Sequence, residues 1–145
     1  MKLVPMGRGL ATVAGVLTLV LAVGACSNGA APSPSPSSVA RPSSPATIVI
    51  VSPLSGAKVS GTKVHVVLRL TGAEIVSATT TNIRPDQGHV HLFVDNVVVS
   101  MNYGLEQDIE VHPGTFVLKA EFVAADHAPF SPQVWSDEVI FSVTP

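Results

Sequence analysis

The chain has 145 residues, 46% of them hydrophobic and only 12% charged, with a formal net charge of −2. That is enough chain for one folded domain with its own core, and it lacks the basic surplus that a nucleic-acid surface requires. A single cysteine, Cys26, excludes an internal disulfide framework and a cage of several thiolates around a metal.

The amino-terminal segment, residues 1–25, carries Lys2 and Arg8, then an uncharged apolar run over residues 10–22, then the small residues Gly24 and Ala25. Basic start, apolar run and small-residue end are the three parts of a secretion signal. As an uncleaved anchor the run is short, because a helix needs about 20 apolar residues to cross the hydrocarbon of a bilayer. Val23-Gly24-Ala25-Cys26 resembles the lipobox of bacterial lipoproteins. In that family the thiol is coupled to diacylglycerol, the signal is cut before the cysteine and the new amino terminus is acylated. The resemblance implies lipidation at Cys26 and a chain held on the extracytoplasmic side of the cell membrane. Each buried methylene contributes about 0.8 kcal/mol, so two or more acyl chains hold such an anchor permanently.

Residues 26–46 follow the signal and consist almost wholly of Ser, Pro, Ala and Gly, with Arg41 as the only charge. Such a composition buries nothing that repays the entropy of ordering, so it reads as a disordered tether. Serine-proline tracts favour extended polyproline conformations rising about 3.1 Å per residue, which lifts the following domain several nanometres from its anchor.

Residues 47–145 form the single folded domain. Five basic residues (Lys58, Lys63, Arg69, Arg84, Lys119) stand against all ten acidic residues of the chain, a formal charge of −5. Nucleic acid is therefore not an expected partner. Apolar residues alternate in several runs. Residues 63–70 set Val64, Val66, Leu68 and Leu70 on one face, residues 88–95 do the same with Val90, Leu92 and Val94, and residues 115–123 with Phe116, Leu118, Ala120 and Phe122. Val139, Phe141 and Val143 repeat the pattern in the last strand. Runs at 48–51, 75–79, 97–101 and 107–111 are rich in β-branched residues and bounded by Gly, Pro, Asn and Asp. Trp135, near the start of the final strand, reads as a rim residue closing one end of the core. The pattern predicts an all-β domain, an antiparallel sandwich of about seven to eight strands.

Two stretches sharpen this. Ser52-Pro53-Leu54-Ser55-Gly56, followed by Val59, Gly61-Thr62 and Val64, resembles the opening of bacterial immunoglobulin-like domains. The stretch from Ile109 through His112-Pro113-Gly114 to Leu118 resembles the turn between the fifth and sixth strands of immunoglobulin and fibronectin type III relatives. The resemblance implies an immunoglobulin-like fold, without the cysteine pair of antibody domains, and no activity.

The most chemically suggestive run is Gly88-His89-Val90-His91-Leu92. Strand residues two apart share a face, so His89 and His91 project together with their Cα atoms about 7 Å apart, within reach of one ion. His127 lies in the loop ahead of the last strand, next to Asp126. If that loop folds back, His127 or Asp126 completes three ligands and leaves a fourth position for water. Imidazole and carboxylate suit copper(II) or zinc, and Met101 offers a soft sulfur to copper. The same residues also admit a structural reading, in which the histidines and a carboxylate such as Asp126 form a hydrogen-bonded cluster that locks the loop to the sheet and needs no cofactor. Together the two stretches resemble a family of secreted bacterial immunoglobulin-like domains with a Gly-His-x-His-Leu strand and an Asp-x-His-x-Pro loop. The chain matches at Gly88, His89, His91 and Leu92 and at Asp126, His127 and Pro129, with Asp126 directly preceding His127.

Nothing in the pattern supplies catalysis. There is no nucleophile-elbow glycine pattern, and Asp137 and Glu138 are neighbours on a strand and face opposite ways. The expectation is a non-enzymatic, monomeric module at the outer face of the membrane, contacting an envelope protein or polymer. The alternative is a copper- or zinc-binding lipoprotein that uses His89, His91 and His127.

Overall fold

The computed structural model describes residues 40–145. Cys26, the signal segment and the expected tether up to residue 39 lie outside the described residues. Among the described residues the chain is all β, and no helix is long and apolar enough to cross a membrane.

Two sheets face one another. In the smaller, β1 (Thr47–Ser52), β3 (Lys63–Thr71) and β7 (Glu106–Glu110) run in the order β1-β3-β7. In the larger, β8 (Gly114–Ala124) is central. It pairs along one side with β5 (Gln87–Val94), and along the other first with β10 (Val139–Thr144) and then with β9 (Pro129–Trp135). β6 (Val97–Asn102) extends the sheet beyond β5. The facing of β1-β3-β7 against β10-β8-β5-β6 is a Greek-key sandwich of the immunoglobulin-like kind. Its core holds the alternate residues expected: Val64, Val66 and Leu68 from β3, Val90 and Leu92 from β5, Phe116, Leu118, Ala120 and Phe122 from β8, and Phe141 and Val143 from β10. The ring of Phe122 stacks on Phe130 with centroids 5.6 Å apart.

In its strands the structure departs from the sequence reading in three places. Residues 58–60 form a short strand, β2 (Lys58–Ser60), parallel to β10, where three residues are too few to show a period. The run at 75–79 shortens to β4 (Glu74–Ile75), parallel to the start of β5, and the residues after it cross the outer face of the large sheet. The expected loop at 124–132 contains the start of β9, despite Pro129 and Pro132. Proline is tolerated there because β9 lies at the edge: Pro129 opens the strand, and the register skips from Val123↔Pro129 to Phe122↔Val134, so that Pro132 sits in the bulge between.

Trp135 does not close the core. Its half-buried ring meets Phe93 edge-on at 5.0 Å on the outer face of the large sheet, with Lys119 Nζ 4.7 Å from its centroid.

Candidate metal centre

The site forms where the start of β5 pairs with the end of β8. Gly88 pairs with Ala124, and a Cβ at Gly88 would overlap the carbonyl oxygen of Val123 and press the Phe122 ring at 3.0 Å. Only glycine leaves the two backbones this near. We expect Gly88→Ala to lower unfolding free energy by about 1–3 kcal/mol, the usual range for overpacking, as a fall in urea midpoint at unchanged slope.

From that point His89 and His91 project outward, opposite Val123 and Glu121 on β8. The alternation predicts an exposed face, yet His89 is only 1% and His91 8% exposed. The face is covered. Tyr103, just beyond β6, sets its ring edge-on to His89 at 5.2 Å, and Thr80 donates its backbone N–H to Ala125 O at 3.3 Å as the segment after β4 crosses over. The turn between β8 and β9 returns His127 to the same place, exposed on its outer side.

Three imidazoles thus meet. Nε2 of His89 lies 3.1 Å from Nε2 of His91 and 2.8 Å from Nδ1 of His127. One ligand nitrogen from each residue falls in a group spanning no more than 4.8 Å. A neutral imidazole nitrogen carries either one proton or one lone pair. If Nε2 of His89 is protonated it donates to one neighbour only, and if it is bare its single lone pair must serve both. Protons alone therefore satisfy this nitrogen poorly, whereas a cation between the rings accepts all three lone pairs. With metal–nitrogen bonds of about 2.0 Å, adjacent nitrogens lie about 2.8–3.3 Å apart, close to the spacing of both His89 contacts, while the full span of up to 4.8 Å requires the His91 and His127 nitrogens to draw together around one ion.

The electrostatics keep the His89 and His91 rings neutral. Burial, followed by the neighbouring His127 and His91, pushes the His89 imidazolium down to about 4, and burial and His127 also lower His91. Lone pairs are therefore present at neutral pH without displacing a proton. Nε2 of His127 lies 3.4 Å from Thr79 Oγ1. A proton on Nε2 donated to that hydroxyl leaves the lone pair of Nδ1 turned inward, the outer-shell orientation that ligating histidines use.

Asp126 does not join this group. Its carboxylate is taken by Arg41, with Nη1 donating to Oδ2 at 2.6 Å and Nη2 to Oδ1 at 2.9 Å, and that pairing holds its pKa below the usual range. The reason is local: the charge partner nearest the turn comes from the segment before β1, which composition assigns to the tether. Ordered contacts with the domain accordingly reach back to Arg41. Met101 sits opposite His91 in the β5–β6 register, on the same face, and is exposed.

Sequence reasoning gave no role to Tyr103, Glu121 or Arg41. The first two follow from register, since Glu121 pairs with His91 and Tyr103 continues past Asn102↔Val90. Glu121 is 4% exposed, and burial raises its pKa against the opposing effect of the Gln133 amide, which donates to it at 2.9 Å.

No protein-family model and no curated protein matches the chain. Among solved structures, it is similar to the fibronectin(III)-like modules of Clostridium thermocellum CbhA, with a TM-score of 0.45 and 14% identity over 73% of this chain and 47% of that one. It is also similar to an engineered protein solved at 1.98 Å, with a TM-score of 0.42 and 16% identity over 69% of this chain and 20% of that one. The chain therefore spans less than half of the first structure and a fifth of the second, and its fold class rests on its own strand order and pairing.

Proposed function

We propose that this β-sandwich is a metal-binding module on the extracytoplasmic side of the cell membrane, holding one divalent transition ion through His89, His91 and His127. The observation that carries the reading is one buried imidazole nitrogen, His89 Nε2, in contact with a nitrogen of each of two other imidazoles. Copper(II) is the first choice and zinc the second, since copper stands highest in affinity for nitrogen ligands and Met101 places a thioether on the same face. Three protein ligands leave a position open toward His127's solvent side, through which an ion can pass to another ligand. The role that follows is carriage or handover, with an envelope protein or polymer as the partner within reach of the tether.

The test is metal content. The mature chain, dialysed against copper(II) or zinc, is expected to retain about one equivalent. Failure to retain either ion above background sinks the reading and favours the structural cluster.

The anchor belongs to the same proposal and is supported by residues 1–26 alone. Cys26→Ser is expected to block lipidation and signal cleavage together, leaving a larger polypeptide that bears no acyl label. A variant of unchanged size that still partitions with membranes removes the lipobox from the account.

A further inference from the structure

His127 holds an uncommon backbone conformation. Its φ is 65°, in the left-handed region, where a residue with a side chain stays only if its surroundings hold it. Part of that hold is the turn itself, in which His127 N donates to Ala124 O at 2.9 Å and Ala124 N to Ala128 O at 3.1 Å.

The rest comes from a residue far away in sequence. Besides the two bonds to Asp126, Arg41 donates from Nη2 to Ala128 O at 2.9 Å and from Nε to Pro129 O at 2.9 Å. Oδ1 of Asp126 also accepts the Ala128 N–H at 3.2 Å, and Ser131 N donates to Pro42 O at 3.0 Å. One guanidinium thus fixes the residues on both sides of His127. Its planar fork reads a carboxylate and two carbonyls at once, which a lysine ammonium cannot reproduce in that geometry.

We infer that Arg41 is a positioning residue for the metal centre: docked against Asp126, Ala128 and Pro129, it sets Nδ1 of His127 over the His89–His91 pair, so the third ligand is in place only while the segment ahead of β1 is docked. The inference rests on the metal-binding reading. By linkage, an ion bound to all three histidines tightens the docking of residues 41–42 by the same factor that docking tightens the ion.

The test uses the full mature chain in four forms: wild type, Arg41→Ala, His127→Ala and the double variant, each titrated with copper(II) against a competing chelator. Arg41→Ala is expected to weaken copper about 10- to 100-fold, the range seen when outer-shell partners of metal ligands are removed. In the His127→Ala background the same substitution is expected to change affinity less than twofold, because no third ligand remains to position. Arg41→Lys should recover only part of the loss. An equal loss in both backgrounds, or none in either, overturns the inference.

A metal-free readout separates this from the metal reading. In the apo chain, amide hydrogen exchange over residues 124–131 is expected to speed up in Arg41→Ala while β5 stays protected. If the wild type retains no metal but exchange in that turn still responds, the metal reading has failed and the clamp on His127 stands. Exchange unchanged by Arg41→Ala overturns the clamp whatever the metal result.

Discussion

Replacing His89 and His91 together with alanine is expected to lower copper(II) affinity by roughly 10⁴-fold. Four-ligand structural zinc sites in peptides bind with about 10–16 kcal/mol, or about 3 kcal/mol per ligand, so two lost ligands remove about 6 kcal/mol. His127→Ala should cost about 10²-fold by the same reasoning. The comparison between these variants decides between the two readings of the cluster. His127 is exposed whereas His89 is 1% exposed, so a purely structural cluster predicts that His89→Ala carries the large effect, on stability. A metal centre predicts that His127→Ala, with a stability change of no more than about 1 kcal/mol, still loses most of its metal affinity. Isothermal titration with copper(II), paired with urea unfolding of each apo variant, reads both quantities. A His127→Ala chain that binds copper as tightly as the wild type contradicts the three-ligand centre.

The scaffold was readable because its core strands obey one rule. Period-two alternation in β3, β5, β8 and β10 assigns Val66, Leu92, Leu118 and Phe141 to the interior, and all four are buried. Among the Asn and Asp residues that bound the runs, Asp95 and Asn96 both adopt positive φ, 50° and 66°, as a tight hairpin between β5 and β6 requires. The parts that escaped are those decided by long-range contact. β2 holds three residues, below any detectable period, and exists because β10 offers it an edge, while the run at 75–79 is paired only at its start, where β4 meets β5. β9 reads as loop because its prolines are judged without knowing that the strand sits at a sheet margin.

The candidate site divides in the same way. That His89 and His91 share a face follows from spacing, and the return of His127 was an expectation that depended on the loop's path. The burial of the pair did not follow, since it is made by Tyr103, which carried no sequence signal, and by the segment around Thr79 and Thr80, whose path across the sheet is a long-range contact. Asp126 illustrates the limit. Adjacent to His127 in sequence, it resembles a ligand until Arg41, 85 residues away, is seen to occupy both its oxygens.

The stability of the apo domain is expected to fall by about 3 kcal/mol as pH drops from about 6.5 to about 4, and the dominant group is His89. Its folded pKa, about 4, lies below the 6.5 of an unperturbed imidazole. Between those values the unfolded chain binds a proton that the folded chain refuses, so stability rises with pH, with about 1.4 kcal/mol for each unit of separation. The contribution is fully present above 6.5, declines through the window and is gone below 4. His91, lowered in the same direction, steepens the same slope. The other groups facing the cluster act elsewhere. Asp126, held low by Arg41, keeps its contribution until more acidic pH, and Glu121, raised by burial, works with the opposite sign, since its protonation in acid favours the folded state. Urea unfolding of the apo chain between pH 7.5 and 4 measures the slope, and His89→Asn, which cannot take up the proton, should flatten most of it. A bound ion keeps the imidazoles unprotonated in the folded chain, so the holo domain should hold copper well below pH 6.5, where unperturbed imidazoles begin to release it. A wild-type curve already level from 6.5 to 4, or one that His89→Asn leaves unchanged, would show that His89 is not the neutral, buried nitrogen on which the centre depends.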